Sequence, residues 1–71
     1  MLNSEAVSQF LQAAESGDLA QLQVLLATGV DINATNRQGR TAITLASLKQ
    51  HYDCVEYLIA SGADINRQDQ T

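Results

Sequence analysis

Leu25-Leu26-Ala27-Thr28-Gly29-Val30-Asp31-Ile32-Asn33 returns as Leu58-Ile59-Ala60-Ser61-Gly62-Ala63-Asp64-Ile65-Asn66, at an offset of 33 residues. Six of the nine positions are identical, and the other three are Leu/Ile, Thr/Ser and Val/Ala. The stretch reads as the joint at the end of a helix. An apolar helical face runs to Ala27-Thr28 and again to Ala60-Ser61. The glycine that follows can close the helix in a left-handed conformation without a Cβ clash. The Asp and Asn beyond it offer side-chain oxygens to turn backbone. A period of this length marks a stack of small repeated units.

Two short helices fit before each joint. In the second unit, Thr41 is a plausible N-cap for a helix from Ala42 to Lys49, with Ile43, Leu45, Ala46 and Leu48 as its apolar residues. A break at Gln50-His51 precedes a second helix from Tyr52 to Ala60, with Val55, Leu58 and Ile59 at helical spacing. In the first unit, Ser4 to Glu15 and Leu19 to Ala27 are the corresponding helices, parted by Ser16-Gly17-Asp18. The polar run Ala34 to Arg40 between the units reads as an extended, hairpin-like loop.

Composition narrows the function. The chain has 71 residues, one small domain at most, and is 45% hydrophobic and 17% charged. Its net charge of −4 argues against nucleic acid as a partner, since such binding runs on surplus Lys and Arg. The start carries no basic-then-apolar leader, and no apolar run approaches a membrane span. Cys54 is the single cysteine, so an internal disulfide is impossible and a reducing, cytoplasmic setting is expected. The four glycines are isolated, so there is no glycine-rich phosphate loop, and no alternating acidic loop surrounds Asp31 or Asp64.

Helix pairs and loops at this period resemble the ankyrin repeat. Gly39-Arg40-Thr41-Ala42-Ile43-Thr44-Leu45-Ala46 stands where that family has Gly-x-Thr-Pro-Leu-His-x-Ala, and Val55, Leu58-Ile59 and Gly62-Ala63-Asp64-Ile65-Asn66 meet its second-helix and turn pattern. The resemblance covers nearly the whole chain. It implies an all-α solenoid, with repeat 1 at about 3–35, repeat 2 at about 36–68 and a third unit opening at 69–71. Ala42 replaces the family's proline, and Thr44 replaces a histidine that helps to tie neighbouring turns. Gln50 stands where glycine is usual between the helices, so the second unit is expected to be less rigid than a consensus repeat.

The two ends differ. Ser8, Gln9, Gln12 and Gln21 align with Thr41, Ala42, Leu45 and Cys54. Unit one is thus polar where unit two meets a preceding neighbour, as a terminal repeat must be to stay in solution. It resembles an N-terminal capping repeat, with Met1 near a true start. At the other end, Ile43, Val55, Tyr57, Leu58 and Ile59 are expected to form an apolar edge. That edge would be covered by a third unit in a longer protein, or else would be open to self-association.

Chemistry is the weaker reading. His51 and Cys54 are spaced i, i+3 with Asp53 and Glu56 nearby, but one His and one Cys close no four-ligand site without both carboxylates. Cys54 lies on a face expected to be packed, so it is read as a small core residue rather than a nucleophile. No metal, cofactor or enzymatic activity is expected. The resemblance instead implies a protein-binding groove lined by hairpin tips and first helices. On this chain those positions are Arg37, Gln38, Arg40, Leu48 and Lys49, with Glu15 and Ser16 in unit one and Arg67 and Gln68 in the next hairpin. Leu48 reads equally as an exposed contact or as core tucked under the loop. All four basic residues, Arg37, Arg40, Lys49 and Arg67, fall on this side, so a partner protein with an acidic patch is expected. The alternative is an N-terminal capping fragment whose main binding surface lies further on.

Overall fold

A computed structural model describes residues 4–63 of the chain. Its order is α1 (Ser4–Ser16), α2 (Leu19–Ala27), α3 (Ala42–Leu48) and α4 (Tyr52–Ala60). The described part is all-helical apart from a single antiparallel bridge, Thr35 to Thr41, at the base of the inter-unit loop. The expected helices are present with small changes. α1 runs one residue further, to Ser16, and Lys49 is the cap of α3 rather than its last residue.

Each helix stops in the same way. The amide directly after a residue of positive φ reaches back to the carbonyl five residues before it: Asp18 to Ala13 at 2.9 Å, Val30 to Leu25 at 3.4 Å, His51 to Ala46 at 2.9 Å and Ala63 to Leu58 at 2.9 Å. A shorter bond nests inside each, such as Gly62 N–H to Ile59 O at 3.1 Å. This paired closure requires a left-handed residue at its centre. Gly29 and Gly62 supply it with φ of 100° and 98°, as the repeated joint predicts. Gln50 does the same work with φ of 63°, without glycine's freedom.

The helices form two layers. α1 and α3 lie side by side, α2 backs α1, α4 backs α3, and α2 and α4 touch more lightly. Phe10, Leu22, Cys54 and Leu58 are fully buried at the junction, with Leu11, Ala13, Ala14, Leu25, Ala42, Ile43, Leu45 and Ala46 around them. Burying a side chain of the Leu or Phe class stabilises by about 1.5–3 kcal/mol, so this shared core holds the two pairs together.

The core corrects the expected C-terminal edge. Leu58 is fully buried and Ile43 is 9% exposed, so neither belongs to an open face. Val55 and Tyr57 are half-buried and Ile59 is 49% exposed. The reason is helical phase. α4 turns Cys54 and Leu58 fully inward, whereas Val55, one residue and about 100° further round, packs at the rim of the same core and is only partly buried.

Candidate protein-binding surface

The hairpin is built around Asn36. Its Oδ1 accepts the amides of Gln38 at 2.9 Å and Arg40 at 3.0 Å. Its own amide donates to Arg40 O at 3.0 Å, and its carbonyl accepts from Gly39 N–H at 3.0 Å. Residues 36–39 thus form a turn with Asn first and Gly last, the preferred residues for those places. Gly39 has φ of 80°. Arg37 and Gln38 occupy the two central positions and are exposed. Arg40, at the exit, is half-buried. Asn36 was not singled out from the sequence, although an Asn three residues before a Gly is a turn signal.

The loop runs directly into α3. Thr41 is only 1% exposed, and its Oγ1 accepts the Thr44 amide at 3.4 Å as an N-cap. The Thr41 and Thr44 hydroxyls lie 3.1 Å apart. Thr44 therefore makes its link within the first turn of α3. Seven residues on from Thr41, Leu48 is 58% exposed. That decides between the two readings of this side chain: it is a surface residue. Lys49 beside it is exposed as well. Arg67 and Gln68, the remaining expected contact residues, lie outside the described residues.

The joint behind Lys49 ties the two helix pairs together. The His51 ring reaches back across the units, with Nε2 3.1 Å from Glu15 O near the end of α1. Gly17 lies under that ring, and a Cβ there would come within 2.6 Å of His51 Nδ1. His51 is therefore a structural clasp. Cys54 is buried, and its thiol is pushed up from its ordinary pKa by loss of solvent, with Asp53 and Asp18 adding to the effect. Among the described residues no cluster of metal-binding side chains occurs.

At the opposite end of the stack, Gln9, Gln12, Ala13, Ser16, Asp18 and Gln21 line a shallow, open cleft of about 330 Å³. Asp18 there accepts the Gln21 amide at 3.1 Å and caps α2, a role the sequence reading gave only to a helix break. No described helix is long and apolar enough to cross a membrane.

A family model for ankyrin repeats (many copies) matches residues 10–59. The ankyrin repeat protein YahD of Escherichia coli (strain K12) is 58% identical over 64 residues, which cover 90% of this chain and 32% of that protein. Ankyrin repeat domain-containing protein 29 of Danio rerio is 51% identical over 57 residues, 79% of this chain and 19% of that protein. The eye-specific diacylglycerol kinase of Drosophila melanogaster is 43% identical over 51 residues, 72% of this chain and 4% of the kinase. The chain thus spans about a third or less of these relatives, and the matching stretch also occurs inside an enzyme.

Proposed function

The chain belongs to the ankyrin-repeat family, and from that premise we propose that it binds another protein through the surface made by the hairpin and the first helices. Ankyrin repeats mediate protein–protein interaction. The observation that carries the finer reading is Leu48, a large apolar side chain 58% exposed beside Lys49. A large apolar side chain exposed beside a cation offers a partner both area to bury and a charge to pair. Arg37, Gln38 and Arg40 extend the surface along the loop, and Arg67 and Gln68 continue it in the next hairpin. The partner carries an acidic patch that meets these cations.

The test is a pair of double substitutions, measured by surface plasmon resonance against a protein recovered with the chain as bait. Arg37→Glu with Arg40→Glu should slow association about tenfold at low salt, and the deficit should shrink as salt rises. Asp53→Lys with Glu56→Lys, on α4, should change it less. Greater damage from the α4 pair would end this assignment.

A second reading has its own support. Gln9 and Gln12 are exposed and line the polar cleft at the α1 end of the stack. They favour unit one as an N-terminal cap for a longer array, with the boundaries given above and further binding surface beyond. Val55 and Ile59, one turn apart on α4, then form the face a following repeat covers, or one through which copies self-associate. A buried lone thiol fits a cytoplasmic setting.

A further inference from the structure

The charges of this chain are segregated along the stack. Residues 4–33 carry Glu5, Glu15, Asp18 and Asp31 and no Lys or Arg. Residues 34–63 carry Arg37, Arg40 and Lys49 against Asp53 and Glu56. The layers sharpen the division. In the second-helix layer, Asp18 stands at the start of α2, and Asp53 and Glu56 lie on α4. In the first-helix layer, α1 carries Glu5 and Glu15, while the hairpin and the end of α3 carry the three cations. The positive quadrant of the described molecule is therefore the hairpin side of unit two.

The four acids of unit one are not equivalent. Asp18 and Asp31 hold turn amides, those of Gln21 at 3.1 Å and Asn33 at 2.9 Å. Glu5 and Glu15 are exposed on α1 and their carboxylates hold no such bond among the described residues. The boundary between the two signs is also located. Glu15 O accepts from His51 Nε2 at 3.1 Å, which sets the end of α1 against the Lys49–His51 joint. Leu48, the last residue of α3 and next to Lys49 in that joint, is exposed.

We propose that this surface reads its partner in one direction. Its occupant is an extended protein segment with an acidic stretch, an apolar side chain and a basic stretch. The acidic stretch lies over Arg37, Arg40 and Lys49, the apolar side chain meets Leu48, and the basic stretch lies over Glu5 and Glu15. The reverse placement sets like charges face to face, a penalty that selects register as well as partner. The inference rests on the binding reading above and adds polarity to it.

The probe is a synthetic peptide with a run of glutamates, a central leucine pair and a run of lysines. It carries a nitroxide at the glutamate end in one preparation and at the lysine end in another. Each is titrated at low salt into the 15N-labelled full chain, and amide broadening is read. The glutamate-end label should broaden residues 36–40 and 47–49, and the lysine-end label should broaden exposed residues of α1, with about a tenfold preference for this placement. Glu5→Lys with Glu15→Lys should abolish the preference while the peptide still meets the hairpin. Equal broadening from both labels overturns the polarity and leaves the binding surface standing. Contact with α4 instead, or no contact, overturns both.

Discussion

At Ser16–Asp18 and again at Lys49–His51 the chain makes the same turn between helices with different residues. The backbone bonds match: Asp18 to Ala13 and His51 to Ala46, each 2.9 Å. In unit one the left-handed position is Gly17, and in unit two it is Gln50. The next residue differs in reach. Asp18 turns inward on its own helix and caps α2 through the Gln21 amide. His51 makes no cap for α4 and instead spans 36 residues to Glu15 O. One joint is locally self-sufficient, and the other secures its neighbour. Unit one also accommodates that choice, because Gly17 leaves the space that the His51 ring fills.

The comparison can be broken by substitution, most sharply at Gly17. Gly17→Val forces a β-branched residue into φ of 78° and drives its Cβ into His51. The expected loss is about 3 kcal/mol, from left-handed strain plus overpacking, read from urea unfolding. Adding His51→Ala should recover the overpacking part; an unrelieved double variant would show that the ring does not occupy that space. Gly62→Val is the control. A Cβ there meets nothing within 4 Å. Only the strain remains, so the loss should be about 1–2 kcal/mol. Equal losses at the two glycines would show that the His51 ring does not crowd Gly17.

The caps give smaller effects. Asp18→Ala should destabilise by about 1 kcal/mol through the lost bond to the Gln21 amide, with thermal melting as the measurement. No change would mean that α2 starts without it. Gln50→Gly should stabilise by about 0.5–1 kcal/mol, since relief from left-handed strain exceeds the added freedom of the unfolded chain. A loss of stability would show that Gln50 is held there by contacts of its own.

What could be read from residues alone followed interaction range. The joints at Gly29 and Gly62, the Thr41 cap and most helix limits rest on contacts a few residues apart, and these have local signatures. The Asn36 turn has one too, an Asn three residues before Gly39, but the polar residues on either side of it carry the same general loop signal. The His51–Glu15 clasp has none, because nothing near His51 names a carbonyl 36 residues away. The misplaced edge has a different cause. A helix packed on two sides has two apolar flanks, and spacing alone cannot say which faces the preceding pair. Leu58 and Cys54 lie at the centre of the inner flank, Val55 at its rim and Ile59 largely outside it. For the proposed binding surface, the positions of Arg37, Gln38 and Lys49 were legible as exposed. Leu48 was not, since an apolar residue at helical spacing looks the same in a core or at its rim.

The turn at residues 36–39 has a consequence for how such a surface changes over generations. Asn36 and Gly39 set its shape through backbone bonds, and the Gln38 side chain adds only a 3.4 Å contact from Asn36 Nδ2. Arg37 and Gln38 can therefore be rewritten with little effect on folding. Selection can try new residues at those positions while the fold stays constant, so on the proposed binding reading a change of partner need cost no stability.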